Sequence, residues 1–92
     1  MARRIPRDFN LRWGKGQIVE EYSVEGQYHQ PSIQLLEFED GSLSVRFCYY
    51  NQHGRFQRSP LIMGEEEICL LRHAVSENRR LHALLSDLVI PS

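Results

Sequence analysis

The 92-residue chain has little sulfur, with two cysteines, Cys48 and Cys69. Two thiols do not make the disulfide framework that holds small secreted domains together. Both are expected to be reduced, in a cytoplasmic protein. No apolar run is long enough for a signal peptide or a membrane span. An excess of one charge is also missing: 11 basic residues stand against 12 acidic ones, for a net charge of −1. Generic polyanion binders are clearly basic, so whole-chain electrostatic capture of nucleic acid is disfavoured. What is present is a globular composition, 41% hydrophobic and 25% charged, in a length that suits one domain. A domain this small buries a modest core, which favours a dimer.

The charge is unevenly spread. Arg3, Arg4, Arg7, Arg12 and Lys15 face only Asp8 in residues 1–16. This segment lacks periodicity and ends in Gly14-Lys15-Gly16, so it reads as a basic N-terminal arm, with residues 17–92 as the folded domain. Gly14-Lys15-Gly16 is not a phosphate loop, because it lacks the G-x-x-x-x-G-K-[ST] spacing and joins no strand to a helix.

Residues 17–24 (QIVEEYSV) predict a strand and 25–31 a loop. The strongest local signal is Asp40-Gly41 between two β-rich runs, the preferred two-residue hairpin turn. With that loop Glu39 faces Ser42. One sheet face then carries Gln34, Leu36, Phe38, Leu43, Val45, Phe47 and Tyr49. The other carries Ile33, Leu35, Glu37, Glu39, Ser44, Arg46, Cys48 and Tyr50. A second hairpin is expected at Asn51-Gln52-His53-Gly54, and any even-length loop there puts Phe56 and Ile62 on Tyr49's face. Pro60 makes the following strand an edge or breaks it. From Gly64 the period becomes helical. Glu65-Glu66-Glu67 suits a helix N-terminus, Ile68, Leu71 and Val75 recur at helical spacing, and Leu81, Leu84, Leu85 and Leu88 form an i, i+3, i+4, i+7 stripe. Pro91 marks the end.

The chemistry-bearing residues point away from catalysis. Cys69 and His73 share a helix face at i, i+4, but zinc needs three or four protein ligands and no Cys-x-x-Cys pair accompanies them. Cys48 with His29 or His53 has no third residue to orient a nucleophile. No metal, cofactor or catalytic set is expected, and the protein is read as a non-enzyme. The run RFCYYNQHGRFQR (46–58) combines arginines with aromatics, the chemistry that follows phosphates and stacks bases in single-strand binding. On the predicted register Arg46, Tyr50 and Arg55 are outward and form the expected surface with Arg58, which falls on Tyr49's face and fits only at the rim of the core; Arg3, Arg4, Arg7 and Lys15 of the arm are in support. A solvated strand face with cross-strand Arg–Glu pairs to Glu37 and Glu39 is the competing explanation.

The order of elements in residues 37–88, in particular VRFCYYNQHGRFQRSPLIMGEEEICLLRHAV, resembles the transcriptional positive-coactivator family. The resemblance implies a curved antiparallel sheet, a C-terminal helix, dimerisation and single-stranded-DNA binding. Two features depart from that pattern. Ser59-Pro60 stands where the family carries Lys-Gly, and Tyr49-Tyr50 where it carries a tryptophan.

The resulting expectation is an α+β domain: an antiparallel meander of three to four strands followed by a C-terminal helix or kinked helix pair. Its expected function is transcription-related nucleic-acid binding by a homodimer. The alternative is a protein-interaction or dimerisation module that uses Ile33, Leu35, Leu81, Leu85 and Leu88.

Overall fold

A computed structural model describes residues 3–57 and 60–90. The chain forms an α+β fold. Five strands, β1 (Arg7–Leu11), β2 (Gly14–Ser23), β3 (His29–Phe38), β4 (Leu43–Asn51) and β5 (Leu61–Gly64), lie in one sheet in chain order. Each pairs antiparallel with the next. Two helices, α1 (Glu65–Val75) and α2 (Arg79–Val89), follow. The expected three to four strands become five because β1 lies inside the segment read as an arm. Pairing of Phe9 with Gly16 and Leu11 with Gly14 closes that first hairpin around Arg12-Trp13. Gly16 is required there. A Cβ at this position would collide with the Glu37 carbonyl and the Phe38 Cα, so the backbone of β2 approaches β3 as only glycine allows.

The β3–β4 register differs by one residue from the expected one. Leu36 faces Ser44, Gln34 faces Arg46 and Ser32 faces Cys48. The loop has three residues, Glu39-Asp40-Gly41, and not two. Gly41 N–H donates to the Phe38 carbonyl (2.9 Å) and Phe38 N–H to the Ser42 carbonyl (2.9 Å). Gly41 takes φ +89°, the left-handed position of a three-residue hairpin with a glycine bulge. Asp40 completes the turn by accepting from Ser42 N–H (2.9 Å) and Oγ–H (2.6 Å), bonds that hold its carboxyl below the usual carboxylate range. The second hairpin repeats the device. Asn51 N–H donates to the Arg55 carbonyl (2.9 Å) across Gln52-His53-Gly54, and Gly54 has φ +79°. The loop length is odd, so Phe56 bridges Tyr50 and not Tyr49.

A one-residue slip moves every side chain of a strand to the opposite face. The inner, buried face therefore holds Arg7, Phe9, Ile18, Glu21, Gln34, Leu36, Arg46, Cys48, Tyr50 and Ile62. Leu43, Val45, Phe47 and Tyr49, expected in the core, lie on the outer face with Ile33 and Leu35. Near Leu11 and Phe38 the inner face is apolar: Phe9, Ile18 and Leu36 form the core, with Leu11, Phe38 and Ile62 packed against it. Phe9 and Phe38 meet edge-to-face at 5.1 Å. The register irregularity between Ile18 and Glu20 in β2 returns Glu21 to the inner face, where it opens the polar half of the same surface.

The helices add little to this core. Gly64 caps α1, and its N–H donates to Glu67 Oε1 (3.1 Å). Three glutamates complement the dipole in the first turn. No residue of either helix is buried. α1 touches the sheet at β5, and α2 packs mainly against α1. The radius of gyration is 14.3 Å, against about 12 Å for a compact domain of this length. The helices project as an arm.

Candidate functional site

Two surfaces carry unusual chemistry. One is the polar half of the inner face. Residues from β1, β2, β3 and β4 meet there in a continuous hydrogen-bond network, although β1 and β4 are separated by two strands, roughly 14 Å of sheet. Arg7 forms a two-pronged ion pair with Glu21, Nη1 to Oε1 at 2.9 Å and Nη2 to Oε2 at 2.8 Å. Arg7 Nη2 also donates to the Tyr50 hydroxyl (3.1 Å). Gln34, 1% exposed, joins the strands: its Nε2 donates to Glu21 Oε2 (2.5 Å) and to Tyr50 Oη (2.9 Å), while its Oε1 accepts from Arg46 Nε (2.6 Å). Arg3 donates to Gln30 Oε1 (2.7 Å), and its guanidinium carbon lies 3.4 Å from the Tyr50 ring centroid. Arg46 lies 4.8 Å from the Phe56 centroid, and Tyr50 and Phe56 meet edge-to-face at 5.4 Å.

The electrostatics follow from burial and pairing. Burial alone pushes the Glu21 carboxyl up. Hydrogen bonds from Arg7 and Gln34, with attraction to Arg7 and Arg3, outweigh it and leave the group below its ordinary value. The Glu21 hydrogen bond raises Arg7 above the usual arginine value against the opposing effect of desolvation. Burial pushes the Cys48 thiol up, and nearby Arg46 only partly offsets this. Among the described residues no buried side-chain nitrogen or oxygen lacks a partner.

The nucleic-acid residues expected from sequence divide accordingly. Arg46 and Tyr50, expected outward, are each 7% exposed on the inner face, because the β3–β4 loop has three residues. Arg3 and Arg7 converge on the same Tyr50. Arg4, Lys15 and Arg55 are exposed, and their side chains lie outside this network, which Arg4 joins only through its carbonyl, an acceptor for Arg7 Nη1 (3.0 Å). Arg58 lies outside the described residues. Sequence reasoning missed Glu21, Gln30 and Gln34 as members of one cluster. Gln34 was the visible signal, the lone polar residue on a face otherwise read as apolar.

The second surface is the helical arm with the outer sheet face. In α2, Leu81, Leu84, Leu85 and Leu88 are 49%, 69%, 41% and 59% exposed. In α1, Ile68, Leu70 and Leu71 are exposed as well. Ile33 and Leu35 are half-buried on the outer face, beside half-buried Val45 and Phe47 and exposed Tyr49 and Leu61. Among the described residues no group of three or more His, Cys, Asp or Glu is placed to hold a metal ion, and no helix is long and apolar enough to cross a membrane. No protein-family model, curated protein or solved structure matches the chain.

Proposed function

We propose that this chain is a non-enzymatic protein-interaction module whose C-terminal helices are its docking element, with a second copy of the chain as partner. One observation carries the reading: two 11-residue helices contain no buried residue yet expose an apolar stripe. Helices of this length are marginal in water without a surface to pack on. From Ile68 to Ile90, nine large aliphatic side chains are 36–74% exposed. At about 1.5–3 kcal/mol for each such side chain fully buried, the arm leaves on the order of 10 kcal/mol of burial unused. Two copies double that figure, which exceeds most of the about 4–15 kcal/mol that association costs.

A second copy fits because each chain carries both halves of the contact. It has an apolar helical stripe without a sheet beneath it and an apolar outer sheet face without a helix above it. A two-fold arrangement satisfies both at once. Sedimentation of the full chain at micromolar concentration is expected to give a dimer, and Leu84→Glu with Leu88→Glu a monomer that retains its sheet. A wild-type chain that stays monomeric at about 100 µM, far above the dissociation constants of stable dimers, would rule out self-association.

Transcription-related nucleic-acid binding is the weaker proposal. Arg4, Lys15 and Arg55 are exposed and available to phosphates, whereas Arg3, Arg7, Arg46 and Tyr50 are engaged internally. Titration of a labelled single-stranded oligonucleotide at about 50 mM salt, where phosphate contacts remain strong, tests it directly.

A further inference from the structure

The outer sheet face is polarised along its strands. Register aligns Leu35 with Val45, Ile33 with Phe47 and Pro31 with Tyr49, as successive rows across β3 and β4. The row at the start of β4 is acidic. Asp8, Gln17 and Glu37 align there across β1, β2 and β3, and Glu39 follows, its N–H donating to the Lys15 carbonyl (3.1 Å). An open cleft of about 520 Å³ at this end is lined by Asp8, Glu37 and Glu39, with Lys15 as the one cation among the described residues that line it. Asp8 accepts from Gln17 Nε2 (3.3 Å). Glu37 and Glu39 are exposed and make no ion pair among the described residues. At the far end of β4 the sign reverses, with Arg55 exposed beside the second hairpin loop.

Helix α2 has the opposite order of charge. It begins Arg79-Arg80, no acidic residue lies in its first turn, and Asn78 makes no side-chain cap bond. Two cations at a helix N-terminus oppose the macrodipole. Both are exposed and unpaired among the described residues. The leucine stripe starts at the next residue, Leu81, and Asp87 stands near its other end.

We infer that α2 of one copy lies along β3 and β4 of the other, with Arg79 and Arg80 over the border of Asp8, Glu37 and Glu39 and with Leu88 toward Tyr49. The inference rests on the second-copy reading above and adds the direction and register of the contact. The dimensions agree. Leu81 to Leu88 spans roughly 10 Å at the rise of a helix, and the rows from Leu35 to Pro31 span roughly 13 Å at the rise of a strand. A helix laid the other way would set Asp87 against Glu37 and Glu39, and the two arginines against Arg55. Complementary charge selects the arrangement more than it adds affinity. The leucine stripe therefore supplies the attraction, the end charges choose its direction, and two-fold symmetry makes the contact twice.

The test is charge reversal with rescue, read by sedimentation of the full chain at about 50 mM salt, where surface charges are weakly screened. One variant carries Arg79→Glu with Arg80→Glu, the other Glu37→Lys with Glu39→Lys. All four side chains are exposed, and glutamate in the first turn favours a helix, so a loss of association in the first variant is not a loss of α2. Each variant alone is expected to self-associate roughly tenfold more weakly than the wild-type chain or worse, because like charges then meet at both contacts. An equimolar mixture is expected to recover the wild-type affinity, since the reversed helix meets the reversed border at one contact and the native pair meets at the other. A wild-type dimer that neither variant weakens, or a mixture that associates no better than either variant alone, would overturn this orientation and leave the dimer standing. A monomeric wild-type chain would overturn the dimer itself and the orientation with it.

Discussion

Glu21→Gln tests the internal network most sharply. The substitution keeps the shape of the side chain and removes the carboxylate that pairs with Arg7 and accepts from Gln34. In the folded chain Glu21's side chain is 5% exposed and Arg7's is 26% exposed. An exposed pair of this kind is worth about 0–1 kcal/mol. Breaking a buried pair costs about 3–5 kcal/mol, because the remaining charge stays in low dielectric without its partner. Arg7 is only partly buried, so the expected loss lies at the lower end, about 3 kcal/mol. That corresponds to a fall in the thermal midpoint of roughly 12–24 °C for a domain of this size. Urea unfolding followed by far-UV circular dichroism at pH 7 would measure it, with the midpoint shifted and the slope unchanged. Glu20→Gln is the internal control. Glu20 is exposed, one residue away on the other side of the sheet, and should change stability by less than about 0.5 kcal/mol.

The pH dependence gives the same reasoning a second check. Glu21 has a folded-state pKa below its unfolded value. Its contribution is fully present above the unfolded pKa, about 4.3, and is lost as pH falls through the folded pKa. The difference between wild type and Glu21→Gln should therefore be constant from pH 7 to about 5.5 and shrink below that. A difference under about 1 kcal/mol at pH 7, the value of a solvated pair, or one that grows on acidification, would refute the account of a buried, strand-spanning ion pair.

Other perturbations should follow from specific contacts. Tyr50→Phe removes the hydroxyl shared by Arg7 and Gln34 and should cost about 1–3 kcal/mol in urea unfolding. Gly16→Ala places a Cβ against the Glu37 carbonyl and should cost at least about 2 kcal/mol, read as a lower thermal midpoint. Gly41→Ala meets no neighbouring atom but requires φ +89°, so it should cost about 1–2 kcal/mol from backbone strain alone. Cys48 is buried, with its thiol pushed up by burial; a thiol reagent at pH 8 should modify it only in denaturant.

The relation of sequence to fold is clearest at the two hairpins. Asp40-Gly41 and His53-Gly54 correctly marked chain reversals between strands, and the switch to helix at Gly64 was visible in the changed period. Loop length was not visible. A glycine in the left-handed region closes either a two-residue turn or a three-residue turn with a bulge, and the choice depends on which register lets β3 and β4 fit their neighbours. That one residue moved Arg46, Cys48 and Tyr50 from the expected outer face to the inner one and exchanged them with Val45, Phe47 and Tyr49. Apolar alternation could not detect the error, because β4 is amphipathic in an unusual way. Its buried face carries an arginine, a cysteine and a tyrosine whose polar atoms are satisfied by residues remote in sequence.

Composition and local pattern by themselves therefore determined the α+β class, the antiparallel order, the positions of the turns and the two amphipathic helices. Each of these rests on interactions between residues near one another in the chain. Only the tertiary structure decided that the basic N-terminal segment supplies a fifth strand, that the arginines and Tyr50 face inward, and that the leucine stripe stays uncovered. The inward-facing cluster depends on partners 12 to 43 residues away, Arg46 with Gln34 and Arg7 with Tyr50 among them. The free energy of burying a charge or an apolar stripe is set by what lies opposite it in space.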